Sequence, residues 1–216
     1  RAQCGLGLMH AKGHGGPQNY AEARRVYVLA AEQGHADAQN SLGALHRSGQ
    51  GGPVSYAEAR RLYGLAAEQG LADAQYSLGR MHQHGKGGPE NLAEARRLYG
   101  LAAAQGLKYA QYELGLVYRH GQGVPRDVDR AIELYTQASQ QGHVGAYLNL
   151  GDLLYSDRQD FEGAEAAIAA ALPSPAARRR VAGTPRAPSS LPRGRDLYRC
   201  TRAPSAGRRA LRARPP

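Results

Sequence analysis

The sequence predicts an all-α protein, a solenoid of stacked helix pairs over roughly residues 1–172, followed by a disordered C-terminal tail. Three observations predict this fold. The chain matches itself at a shift of 36 residues, and its second and third units agree at 25 of 36 positions. Each unit carries two apolar stripes at helical spacing. Glycine, proline and helix-capping residues recur at fixed places between the stripes, which is typical of stacked helical repeats.

The period divides most of the chain into four full repeats, at 1–36, 37–72, 73–108 and 109–144. A fifth unit, 145–172, keeps Ala146, Leu150 and Gly151 but has a shorter turn. End repeats of solenoids are often atypical because one of their faces meets solvent. We therefore interpret 145–172 as a degenerate capping repeat.

Each repeat is predicted to contain two helices. In the first repeat, Ala2, Leu6 and Met9 are spaced by four and then three residues, which places them on one side of a helix. A second stripe includes Tyr27, and its equivalents in the later repeats are Tyr63, Tyr99 and Tyr135. We expect the two stripes of one repeat to pack against each other.

The residues between the stripes predict where the helices begin and end. The N-cap types at one repeat position are Asn19, Ser55, Asn91 and Asp127. Glu22, Glu58 and Glu94 follow three residues later and resemble a capping box. A glycine ends each second helix, at Gly34, Gly70, Gly106 and Gly142. Mid-helix glycines such as Gly43 cost stability, so we expect them to permit a close approach between helices.

These residues resemble the Sel1-like repeat, a relative of the tetratricopeptide repeat. The pattern is carried in the second repeat by Ala38, Leu42, Gly43, Gly49, Gly51, Ala59, Tyr63, Ala66, Ala67 and Gly70. The resemblance implies a right-handed superhelix of helix pairs and a role as an adaptor in protein complexes. It departs from the family where His10, His46 and His82 replace a frequent Tyr, and where Gly-Gly-Pro ends the turn in repeats one to three.

Positive charge is concentrated in the C-terminal segment. The whole chain has a net charge of +10, but residues 1–172 sum to −1 and residues 173–216, with 12 arginines, sum to +11. The segment 173–216 is rich in Arg, Pro, Ala and Ser, a composition that favours disorder. It could contact nucleic acid or an anionic membrane, remain a passive solvated tail, or be an off-frame extension of the gene.

Sequence motifs for catalysis or metal binding are not evident. The repeated histidines at 10, 46 and 82 could suggest a metal ladder, but Tyr118 fills the fourth position and each repeat offers too few ligands. We expect packed, half-buried rings instead. The glycine-rich turns lack a Gly-Lys-Ser/Thr continuation, so we expect helix–helix turns rather than phosphate cradles. We expect no enzymatic activity, cofactor or metal.

Comparison of the repeats with one another locates a candidate interaction face. On the first helices, one set of positions hardly varies, while four positions on a single helical face vary freely. Their residues in repeats two to four are Asn40, Ala44, Arg47, Ser48, Tyr76, Arg80, Gln83, His84, Tyr112, Leu116, Arg119 and His120. Variable positions can simply be exposed, but Tyr and Arg are also favoured at binding hot spots. By resemblance, first helices line the concave side.

The function expected from the sequence is a non-catalytic scaffold or adaptor that binds a protein or peptide through the concave face of the solenoid. The alternative is a nucleic-acid or membrane-surface factor that acts through 173–216. No apolar run is long enough to span a membrane, so we expect a soluble protein of undetermined compartment. Because Arg1 stands within a repeat, we also expect further repeats upstream.

Overall fold

A computed structural model of the chain describes residues 2–171, so the segment 173–216 and its predicted disorder lie outside the described residues. Within residues 2–171 there are ten α-helices and no strand, which confirms the predicted all-α solenoid. The helices are α1 Ala2–Lys12, α2 Tyr20–Glu32, α3 Ala36–Ser48, α4 Tyr56–Glu68, α5 Ala72–Gln83, α6 Leu92–Ala104, α7 Lys108–His120, α8 Val128–Gln140, α9 Val144–Ser156 and α10 Phe161–Ala171. None of these helices is long and apolar enough to cross a membrane.

The helices pack in chain order, each against the next, from α1 on α2 to α9 on α10. Odd-numbered helices are the first helices of the repeats and even-numbered helices are the second. A stack in which each element touches mainly its neighbours has no single central core. Its apolar residues form a series of clusters instead, centred on buried tyrosines such as Tyr63 and Tyr99.

The predicted N-caps are present, but the capping box is only half formed. Side-chain oxygens of Asn19, Ser55, Asn91 and Asp127 accept hydrogen bonds from the backbone N–H three residues later. The carboxylate of Glu58 does not reach back to the cap and pairs with Arg61 instead. The reason is that the Ser55 N–H already donates to the carbonyl oxygen of His46, at 2.9 Å.

The mid-helix glycines lie against the tyrosines of the second helices, as predicted. A Cβ added at Gly79 would stand 2.8 Å from the ring of Tyr99, and one at Gly115 would stand 2.6 Å from the ring of Tyr135. Any larger residue would therefore push the two helices of a repeat apart. Tyr63, Tyr99 and Tyr135 fill the space and are essentially fully buried.

The two ends of the described solenoid differ. At the first end, Leu6 and Met9 of α1 are each 47% exposed, whereas their equivalents Leu42 and Leu45 are buried. At the other end, Leu150 and Leu153 of α9 are buried in one cluster with Tyr135 of α8. The helix pair α9 and α10 therefore covers the fourth repeat, and the capping role of this unit stays a prediction.

Candidate interaction surface

The twelve residues predicted to form the interaction face lie on α3, α5 and α7, with His84 at the C-cap of α5. We refer to this set as the first-helix face. Five of its members are exposed, namely Arg47, Ser48, Arg80, His84 and His120, and the other seven are half-buried. The face is thus not made only of exposed residues, because several of its side chains contact the next first helix.

At the C-terminal end of the face, Arg119 joins α7 to α9. Its guanidinium donates to the side-chain oxygen of Asn149 at 3.1 Å and forms an ion pair with Asp152. The amide of Asn149 in turn donates to the hydroxyl of Tyr112 at 3.1 Å. Arg119 and Tyr112 therefore hold the fourth and fifth repeats together, and their charge and hydroxyl are engaged within the chain.

Aromatic rings run along the face from the third repeat to the fifth. The ring of Tyr76 on α5 lies 6.0 Å from that of Tyr109 on α7. Tyr112, also on α7, stacks on His143 at 4.4 Å between ring centroids. Such contacts favour a fixed spacing between successive first helices. Tyr109 and His143 were missed in the sequence because they stand before the variable positions, at the start of the first helices.

In the second and third repeats the face is open. A cavity of about 90 Å³ lies between the ends of α3 and α5 and is lined by Arg47, Tyr76, Ser77, Arg80, Met81, His84 and Lys86. The guanidinium of Arg80 lies over the ring of Tyr76, 5.9 Å from its centroid. The ion pairs found among residues 2–171 include neither Arg47, Arg80 nor Lys86. This part of the face therefore presents cations that have no ion-pair partner within the described part of the chain.

Glu113 is a further residue of this region that the sequence comparison missed. Burial raises the pKa of its carboxyl group, and the nearby charges of Arg80 and His84 lower the pKa by less. Glu113 follows Tyr112 directly, and its repeat equivalents Ser41 and Ser77 are small and alike. The sequence signal was that Glu113 is the one charged residue at a position that holds Gly5, Ser41 and Ser77 in the first three repeats.

All three repeated histidines are half-buried, as expected, and His46 and His82 are hydrogen-bonded. Nη2 of Arg24 lies 2.9 Å from Nδ1 of His46, and Nη2 of Arg60 lies 2.8 Å from Nδ1 of His82. Arginine can only donate, so each ring must accept through a nitrogen that carries no proton. Burial lowers the pKa of both histidines, and the adjacent guanidinium lowers it further. His84, two residues after His82, lines the cavity of the first-helix face instead.

The glycine-rich turns are packed against the second helix of the preceding repeat. A Cβ at Gly87 would overlap the carbonyl oxygen of Tyr56 at the start of α4. A Cβ at Gly88 would overlap Nη1 of Arg60, the same arginine that bonds to His82. In the second and third repeats these turns are therefore helix–helix connections packed on the preceding repeat, which accounts for Gly-Gly-Pro there. In the first repeat a Cβ at Gly16 would meet no atom within 4 Å.

Comparison with known proteins gives consistent results. The family model for the Sel1 repeat matches residues 1–35, 36–71, 72–107 and 108–143. The chain is similar to the crystal structure of a protective antigen of uropathogenic Escherichia coli with an SLR fold (33% identity, TM-score 0.75), covering 79% of this chain and 37% of the antigen. A Sel1 repeat protein from Oxalobacter formigenes has 33% identity and a TM-score of 0.71, with 79% of this chain and 71% of the relative covered. No curated protein matches the chain.

Proposed function

Because the chain belongs to the Sel1 repeat family, we propose that it is a non-catalytic scaffold or adaptor whose first-helix face is the concave, partner-binding side of the solenoid. Sel1 repeat proteins generally mediate protein–protein interactions. The occupant in this proposal is a protein or a peptide segment laid across successive repeats. Solenoids provide extended concave surfaces of this kind.

The contacts between neighbouring repeats support the concave placement. Successive first helices touch through side chains, as in the ion pair of Arg119 with Asp152 and the ring contact of Tyr76 with Tyr109. On the second helices, Leu29, Leu65 and Leu101 occupy one repeat position and are exposed. Contacts between repeats on the side of the first helices, together with exposed side chains on the side of the second helices, are expected for a solenoid that curves toward its first helices.

The observation that carries the proposal is the open part of the face in the second and third repeats. Arg47, Tyr76, Arg80 and His84 surround one cavity there, and the two arginines have no ion-pair partner among the described residues. Tyrosine and arginine are the types that dominate binding energy at protein interfaces. The corresponding residues of the fourth repeat are engaged with α9, so binding should centre on the middle of the solenoid.

The titratable groups of the region support a non-catalytic role. Burial raises the pKa of Tyr63, Tyr76 and Tyr99, so these hydroxyls stay protonated at neutral pH. His46 and His82 each accept a hydrogen bond from an arginine, so these rings have a structural role. A general base has to face a reacting proton, and these rings face guanidinium groups of the same chain.

Affinity capture with three forms of the full chain tests the proposal. The first form is unaltered, and the second carries Arg47→Gln and Arg80→Gln on the first-helix face. The third carries Arg61→Gln and Arg97→Gln on the second helices, which removes the same charge from exposed positions elsewhere. We expect a partner that the unaltered and control forms retain and the first-helix variant loses. Equal recovery by all three forms would place the binding surface elsewhere.

A further inference from the structure

We propose that the cavity between α3 and α5 is a carboxylate-binding site, and that it anchors an acidic peptide segment of the partner. The inference rests on the proposed function, because it specifies the chemistry that the first-helix face recognises. Arg47, Arg80 and Lys86 supply positive charge around the cavity, and the ring of Tyr76 forms part of its wall. The bound group would be an aspartate or glutamate side chain, or the carboxylate at the end of a chain.

The local balance of charge favours an anion in this cavity. Elsewhere on this side of the described chain, arginines have carboxylate partners, as in the ion pairs of Arg119 with Asp152 and Arg126 with Asp157. Near the cavity, Glu113 interacts electrostatically with Arg80 but forms no ion pair with it. Among the described residues, Arg47, Arg80 and Lys86 line the cavity, and no carboxylate does. The cavity therefore keeps an excess of positive charge.

A larger cavity of the described solenoid does not share this property. It has a volume of about 740 Å³ and lies beside Arg96, Tyr118, Arg126 and Arg130. Arg126 is paired with Asp157, and Arg130 with Asp127, while Arg96 donates to the carbonyl oxygen of Gly123. Two of its three arginines are paired with carboxylates, and Asp127 and Asp129 also line it, so its excess of positive charge is smaller.

The size and geometry of the cavity also suit a carboxylate. A cavity of about 90 Å³ corresponds to about three water molecules at the volume they occupy in the liquid. This is enough to admit a carboxylate group. The planar guanidinium of arginine matches a carboxylate with two parallel hydrogen bonds. Arg47 and Arg80 line the cavity from successive repeats, so a carboxylate bound there would have two guanidinium groups beside it.

A peptide is favoured over a nucleic acid because the cations do not continue along the face. A phosphate backbone binds to tracks of cations that follow successive phosphates. Beyond Arg80 the same side of the solenoid presents Glu113 and then Asp152. Arg119, the next arginine of the first-helix face, is already paired with Asp152. A continuous polyanion would therefore meet no unpaired arginine of the face beyond Arg80, whereas a segment with one or two acidic side chains needs none there.

The test is a titration of the isotopically labelled full chain with a hexaglutamate peptide, followed by backbone amide NMR. The readout has to be local because residues 173–216 carry 12 arginines and attract any anion. We expect saturable shifts at the amides of Ser77, His84 and Lys86. The Arg47→Gln and Arg80→Gln double variant should weaken this binding at least about tenfold, and the Arg61→Gln and Arg97→Gln control should leave it unchanged. Hexaglutamine should produce no shift at these amides.

Three results would overturn the inference. The first is that hexaglutamate perturbs only amides of 173–216, and the second is that it binds the first-helix variant as tightly as the unaltered chain. The third is that a single-stranded DNA 12-mer shifts the same three amides at lower concentration than the peptide does, which would favour nucleic acid. Failure of the proposed function would be a different result. In that case the variant with Arg47→Gln and Arg80→Gln would capture the partner as well as the unaltered chain does.

Discussion

Arg60 on α4 donates a hydrogen bond to His82 on α5, across the boundary between the second and third repeats. The distance is 2.8 Å between Nη2 and Nδ1, and the same bond recurs between Arg24 and His46 at 2.9 Å. In the fourth repeat Tyr118 replaces the histidine and accepts a hydrogen bond from Arg130 instead. The first two junctions therefore depend on neutral histidines, and the third does not.

This dependence predicts that the solenoid loses stability as the pH falls below about 6.5. Burial and the adjacent arginine lower the pKa of His46 and His82 in the folded state. The unfolded chain then binds more protons than the folded chain, so the free energy of unfolding falls as the pH drops from about 6.5 toward the folded pKa. Urea unfolding at a series of pH values between 7.5 and 5 measures this slope.

The control for this experiment has to account for the charged groups near His46 and His82. His46 also faces Glu58 and Arg61, and His82 faces Glu94 and Arg97. The raised pKa of Glu113 acts with the opposite sign, and its contribution is removed by Glu113→Gln. In that background, His46→Gln with His82→Gln should reduce the slope between pH 7.5 and 5, and the slope that remains is expected from His143, whose pKa burial also lowers. An unchanged slope would show that other groups cause it.

Two glycine-to-alanine changes are predicted to have opposite effects. A Cβ at Gly87 would overlap the backbone carbonyl oxygen of Tyr56, and Gly87 has a φ of 73°, so Gly87→Ala should destabilise the fold by about 1–3 kcal/mol. Gly64 lies within α4, and a Cβ there would have no neighbouring atom within 4 Å. Gly64→Ala should therefore stabilise by about 0.5–1 kcal/mol through helix propensity. Denaturant titration gives both values, and a shared sign would refute the packing of the turn.

Core and surface substitutions should separate clearly. Tyr63 is 1% exposed and Leu78 is buried in the same cluster. Tyr63→Ala or Leu78→Ala should cost about 2–5 kcal/mol, as large-to-small changes in cores do. Arg47→Ala should change the free energy of unfolding by less than about 0.5 kcal/mol because its side chain is exposed. A comparable loss for Arg47→Ala would mean that this arginine is structural.

The repeat period made the fold predictable, since each cap, glycine and tyrosine was observed four times in one sequence. The predicted contact of Gly43 with the second helix, for example, is made by Tyr63, whose ring would lie 3.0 Å from a Cβ added to the glycine. Contacts between repeats were harder to predict from the sequence. Arg24 and His46 stand 22 residues apart on different helices, so no periodicity within one helix could pair them. Likewise, Arg119 and Arg47 occupy the same repeat position, but only Arg119 is ion-paired, because Asp152 of α9 lies beside it.

Deletions test the predicted cap. Removal of 173–216 should leave the thermal midpoint unchanged within error, since the predicted role of that segment is not structural. Removal of 145–216 should lower the midpoint, because Tyr135 packs with Leu150 and Leu153 and Arg119 pairs with Asp152. Equal midpoints for the two truncated chains would refute the cap, and a lower midpoint after loss of 173–216 alone would give that segment a structural role.

The most direct measurement of the central claim is the dissociation constant of a captured partner for the unaltered full chain and the two double variants, determined by isothermal titration calorimetry. With a partner bound to the first-helix face, Arg47→Gln with Arg80→Gln should weaken binding at least about tenfold. Arg61→Gln with Arg97→Gln should leave the constant within about twofold, as expected for exposed arginines outside the interface. Equal constants for all three proteins, or a loss confined to the second-helix variant, would contradict the account.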